Sequence, residues 1–126
     1  LLRYLFYMEK AKLVKWLGTD THGINYLNKP EKLYLNNTNL QFALSTQPDK
    51  GNIRETFFLN QLSANHFVSY SSKGDFIVDG EQVFEIGGRT KTSKQIVDTH
   101  SSFIAADDIE YSLDNKIPLW LFGFLY

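Results

Sequence analysis

The sequence predicts a mixed α+β (α/β) sandwich, in which helices lie against a central mixed sheet. Three observations carry this. From Asn52 onward the local patterns run helix, strand, strand, strand, helix, strand. Two short strands flank an Asp79-Gly80 turn in "GDFIVDGEQVFEIGGRTK". Of the 126 residues, 43% are hydrophobic and 15% aromatic, enough apolar material for one compact core.

The elements follow in order. "LLRYLFYMEKA" lacks Gly and Pro and sets Leu1, Leu5 and Met8 on one side at helical spacing. "KLVKWLG" reads as a strand, "TDTHG" as a turn and "INYL" as a returning strand, with Pro30 closing the segment. "KLYLNN" is a short strand. "NTNLQFALS" is a short helix capped by Asn37 or Thr38. After the loop "TQPDKG", Asn52 opens the clearest helix, "NIRETFFLNQLSAN". "HFVSY" is a strand, and "SSKG" turns into the hairpin. "TSKQIVDTH" is a helix with Thr92 and Gln95 at capping-box spacing, and "SFIAADD" a further strand. The apolar end "IPLWLFGFLY" is a buried helix or strand, with Trp120, Phe122, Phe124 and Tyr126 in the core or sealing an interface.

Several classes are excluded or disfavoured. The formal net charge is −1 and the pI about 6.3, so the chain as a whole carries no basic footprint for nucleic acid. Arg3, Lys10, Lys12 and Lys15 form at most a local patch, and a solvated helix face is the simpler reading. There is no cysteine, hence no disulfide or thiolate metal site, in keeping with a cytoplasmic location. No signal peptide is recognisable. The apolar C-terminal run falls short of the roughly 18 to 20 residues that span a bilayer, so no membrane partner is expected. His22, His66 and His100 are scattered without ligand spacing. Opening on Leu1, the chain reads as a piece of a longer protein.

The hairpin's register decides whether its acids meet. A two-residue loop would place Asp75 opposite Phe84 and send Asp75 and Glu85 to opposite faces. A three-residue loop, Asp79 to Glu81, pairs Phe76 with Phe84, Ile77 with Val83 and Asp75 with Glu85. This second register matches apolar to apolar and is preferred. It sets two carboxylates side by side, which demands a divalent cation or a basic side chain between them. Glu55 extends the apolar stripe of Phe58, Leu59 and Leu62 backwards along the helix and is a third candidate. Asn52 and Glu55 also have N-cap and N3 spacing, so Glu55 as a cap of its own helix stands equally.

A helix acid, an Asp at a strand start and a (D/E)-x-K triplet on the next strand form the pattern of the restriction-endonuclease-like fold. The chain also resembles, over nearly its whole length, the C-terminal region of a family of prokaryotic AAA+-like P-loop ATPases. The residues concerned are "LLRYLFYMEKAKLVKWL", "KPEKLYLNNTNLQFAL", "GNIRETFFLNQL", "GDFIVDG" and "QVFEIGGRTK". In that family a P-loop ATPase module is followed by a winged helix and then by a nuclease-like domain of unknown function. The resemblance implies a winged-helix tail over residues 1–31 and a restriction-endonuclease-like domain over residues 32–126. It implies ATP only in the ATPase module of the parent chain, which is then a partner along with DNA or a second copy.

Gly87 stands where the triplet has its lysine. Arg89 and Lys91, beyond a Gly-Gly break, are within reach of swinging back, and Lys73 before Asp75 is a further cation. Arginine holds its proton too tightly to act as a base. Mg2+ on two carboxylates survives such a loss more readily than phosphodiester cleavage does. The expectation is therefore a non-catalytic accessory domain with a degraded nuclease site, for DNA or protein interaction. The alternative is a Mg2+-dependent nuclease with Glu55, Asp75 and Glu85 as catalytic metal ligands and Lys91 or Arg89 as the displaced cation. Lys73, Arg89 and Lys91 are the candidate phosphate or DNA contacts. "GGRTKT" offers backbone N–H groups to phosphate, although as a sequence it is an ordinary solvated turn and not a Walker A loop.

Overall fold

The structure, a computed structural model, describes residues 1–18, 30–92 and 101–125. Helix α1 (Leu2–Lys10) buries none of its residues completely, and Leu2, Leu5, Phe6 and Glu9 are its half-buried side. Leu1 and Met8 are exposed, so the inward face is turned by about one position from the expected one. Lys12, at φ 56°, reverses the chain into β1 (Val14–Leu17). The expected partner "INYL" lies outside the described residues. The strand that pairs antiparallel with β1 is β2 (Lys32–Leu35), with Leu17 opposite Lys32 and Val14 opposite Leu35. The division between residues 31 and 32 thus falls between two strands of one small sheet, and Leu17 and Tyr34 both join the main core.

Helix α2 (Thr38–Leu44) is capped by Asn37, whose side chain accepts from Leu40 N at 3.2 Å. Helix α3 (Lys50–Leu62) starts two residues before the expected Asn52. Its N-cap is Asp49, whose Oδ1 accepts from Asn52 N at 2.8 Å. A carboxylate at that position offsets the open N–H groups and positive end of the helix. A buried polar contact joins the two helices: Gln41 Nε2 donates to Thr56 Oγ1 at 3.1 Å and also to Asn52 Oδ1.

The main sheet has five strands in the order β3 (Val68–Tyr70), β4 (Phe76–Val78), β5 (Gln82–Gly87), β6 (Ser102–Ala106) and β7 (Lys116–Pro118). The first three are antiparallel, and β6 and β7 run parallel to β5. The β4–β5 ladder pairs Phe76 with Phe84, Ile77 with Val83 and Val78 with Gln82, the three-residue-loop register. Asp79 and Gly80 both take positive φ, 52° and 73°, in that loop. The helix expected at Thr92 lies almost entirely outside the described residues.

Phe58 of α3 is the centre of the core. Its ring lies 5.4 Å from Phe76, 5.0 Å from Phe84 and 4.9 Å from Phe122. The C-terminal stretch is β7 followed by a 3₁₀ helix, Leu119–Phe124. Leu119 and Phe122 are buried there, but Trp120 is 51% and Phe124 62% exposed, against the expected core positions. The tight threefold period puts residues 119 and 122 on one side and leaves 120 and 124 outside it. Among the described residues, no helix is long and apolar enough to cross a membrane.

Candidate functional site

Strand β2 and helix α3 build the first half of the site. Lys32 and Tyr34 share a face of β2 because side chains alternate along a strand. That face turns inward: Tyr34 is only 4% exposed, while Leu33 is 46% exposed. Glu55 arrives from α3. The Tyr34 hydroxyl donates to Glu55 Oε2 at 2.5 Å, and Lys32 Nζ lies 3.4 Å from the same oxygen. Since Asp49 caps the helix, Asn52 and Glu55 are not its cap and N3 residues, and the Glu55 carboxylate serves these two donors. Lys32 Nζ also lies 3.3 Å from Asp75 Oδ1. Its ammonium sits 5.9 Å from the ring centres of both Tyr70 and Phe76.

The hairpin supplies the second half. Asp75 lies just before the first paired residue of β4, and its Oδ2 accepts from Ile86 N at 2.8 Å, which ties the carboxylate to β5. Glu85, on β5, has a side chain only 10% exposed. Lys91 Nζ pairs with its Oε1 at 2.8 Å, while Oε2 is buried and has no hydrogen-bond partner among the described residues. A Cβ built on Gly87 would lie 2.7–2.8 Å from Cβ, Cγ and Cδ of Lys91. The lysine therefore crosses over the glycine α-carbon to reach the acid.

Electrostatics links the two halves. The hydrogen bond that Lys91 donates to Glu85 raises the lysine's pKa above the ordinary amine value. Burial opposes the shift, and attraction to Glu85, Asp75 and Glu55 adds to it. Burial is the first cause that pushes the Tyr34 phenol far above its usual range, followed by its bond to Glu55 and the charges of Glu55 and Asp75. The result is a mixed cluster of three acids, two lysines and a phenol at the junction of β2, α3, β4 and β5.

Among the described residues, no three His, Cys, Asp or Glu side chains come together as a set able to hold a metal ion. Lys32 and Lys91 stand against the carboxylates that would have to ligate one. The donor set as arranged does not fit Mg2+, which asks for near-octahedral oxygen coordination at about 2.0–2.1 Å.

The other predicted cations lie apart. Lys73 and Arg89 are exposed, and the Arg89 carbonyl accepts from Lys116 Nζ at 3.1 Å. Behind Gly88 lies Arg54, whose Nε is 3.0 Å from Asp107 Oδ2 and whose guanidinium also reaches Asp108 at 3.5 Å. The "GGRTKT" stretch is described and forms a turn in which Lys91 N donates to the Gly88 carbonyl at 3.0 Å, whereas the helix expected to follow it lies outside the described residues from residue 93 onward. His66 is half exposed and contacts Asp79 Oδ2 through Nδ1 at 2.7 Å; His22 and His100 fall outside the described residues.

Sequence reasoning missed Lys32 and Tyr34. The period-2 pattern of "KLYL" held a signal, but a Leu33/Leu35 pair is the ordinary inward face of such a strand, and the structure inverts it. In comparisons with known proteins, the chain matches no family model, no curated protein and no solved structure.

Proposed function

We propose that the chain is a non-catalytic accessory domain of nuclease-like fold, working beside a P-loop ATPase module of the same parent chain in the cytoplasm. Its role is to bind DNA, a protein or another subunit. The order of α3, three antiparallel strands and a further strand parallel to β5 supports the fold resemblance. The observation that carries the non-catalytic reading is the internal pairing of the acids. Lys32 bridges Glu55 and Asp75, and Lys91 holds Glu85. Carboxylates engaged in this way are structural charges, and Gly87 removes the lysine that would position water. The exposed Trp120 and Phe124, edge to face at 6.1 Å, supply apolar surface for contact with the ATPase module.

The test is thermal denaturation with Mg2+ or Mn2+ added, together with a DNA nicking assay on the intact parent protein. The accessory reading expects no metal-dependent rise in Tm and no nicking. A rise that disappears in Asp75→Asn, accompanied by nicking, overturns it.

A second reading, a Mg2+-dependent nuclease using Glu55, Asp75, Glu85 and Lys91, is favoured by one feature. Lys91 reaches Glu85 across Gly87 and so restores a lysine beside the acid, while Glu85 Oε2 is buried with no donor among the described residues. The same pair of measurements separates the two readings.

A further inference from the structure

We infer that Lys32 is a fixed internal cation that keeps the Glu55–Asp75 carboxylate pair closed to divalent metal. This rests on the non-catalytic reading above. The like charges of Glu55 and Asp75 arrive on different elements, α3 and the start of β4, and converge on one ammonium at 3.4 and 3.3 Å. Two carboxylates facing one site repel unless a positive charge lies between them. Here that charge is carried by the protein itself.

The lysine comes from outside the five-stranded sheet. β2 belongs to the two-stranded sheet, whose Leu17 and Tyr34 are buried in the common core, so its position is held by packing. The Lys32 ammonium is further placed by the Tyr70 and Phe76 rings, 5.9 Å from each centre. Tyr34, two residues on, spends its proton on the same Glu55 oxygen. Strand β2 therefore supplies Glu55 with two donors, Lys32 and Tyr34. A divalent ion could enter only by displacing an ammonium that cannot diffuse away.

Neutralising Lys32 leaves the acid pair without its cation and makes a metal from solution the available counter-charge. Lys32→Met keeps an unbranched apolar side chain of similar length and removes the charge. Mn2+ serves as the probe, followed by electron paramagnetic resonance and by calorimetry, with circular dichroism to confirm folding. The expected result is no binding by the wild type at millimolar Mn2+ and at least tenfold tighter binding by Lys32→Met. That gain should be lost again in Lys32→Met/Asp75→Asn.

A folded Lys32→Met that binds Mn2+ no better than a silent wild type overturns the inference and leaves the non-catalytic reading standing. A wild type that itself binds Mn2+ tightly overturns that reading. If Lys32→Met does not fold alone, Mn2+ is expected to restore its folding, and failure to do so, repeated with Lys32→Gln, counts against the inference.

Discussion

Lys91 and Glu85 form an ion pair across Gly87, with Nζ 2.8 Å from Oε1. The two residues are joined because the position between them has no side chain. An alanine Cβ there would press on three carbons of Lys91 at 2.7–2.8 Å, two of them near the backbone, where the side chain has little freedom. Gly87→Ala should therefore dislodge the lysine and cost about 1–3 kcal/mol, as overpacking does. That is a fall in Tm of about 4 °C per kcal/mol for a domain of this size. In a double-mutant cycle the effect should vanish once the Lys91 Cβ is also gone: Gly87→Ala added to Lys91→Gly should lower Tm no further. Additive losses would mean that the two positions act independently.

The raised pKa values of Lys91 and Tyr34 set a pH dependence. Each group holds its proton more tightly in the folded state than in the unfolded chain. Their stabilisation is complete below the unfolded values, about 10.4 for lysine and 10 for tyrosine. It is lost as pH rises above them toward the folded values. Chemical denaturation between about pH 8 and 11 should show stability falling from about pH 10 upward. Tyr34→Phe removes the phenol's share and should flatten that decline. An equally steep decline in the variant would refute the assignment to Tyr34.

Phe58 tests where the core sits. Three phenylalanine rings from β4, β5 and the 3₁₀ helix converge on it at 4.9–5.4 Å, and it is fully buried. Phe58→Ala should cost about 3–5 kcal/mol, as large-to-small core changes do. Such a loss is a large part of the total stability of about 5–15 kcal/mol for a typical domain. Phe58→Leu should lose visibly less. The readout is the urea midpoint, with the slope unchanged if the fold is retained.

Much of the fold was legible because it rests on local pattern. The β4–β5 register followed from matching Phe76 with Phe84 and Ile77 with Val83, and the loop at Asp79-Gly80 takes the positive φ that such a turn needs. Three kinds of feature were hidden. β7 has only three residues, too few for periodicity to register. The exposure of Trp120 and Phe124 follows from a 3₁₀ period that an apolar run does not announce. At the site, the acids could be named individually, and the need for a positive charge followed from their register. That Lys32 supplies it was not legible, because its contacts with Glu55 and Asp75 join residues 23 and 43 positions apart. Sequence spacing carries no information at that range.

The start of α3 gives the last prediction, because it fixes what Glu55 does. Asp49→Ala should cost about 0.5–2 kcal/mol through loss of the cap on Asn52 N. Were Glu55 instead the N3 partner of an Asn52 cap, Glu55→Gln would be nearly neutral, since glutamine serves in that position as well as glutamate. As the charge that meets Lys32 and accepts from Tyr34, Glu55 should respond quite differently. Glu55→Gln should lower Tm in a Tyr34 background and do so less in Tyr34→Phe, because the two residues share one hydrogen bond. Equal losses in both backgrounds would show that the Glu55 carboxylate draws nothing from Tyr34.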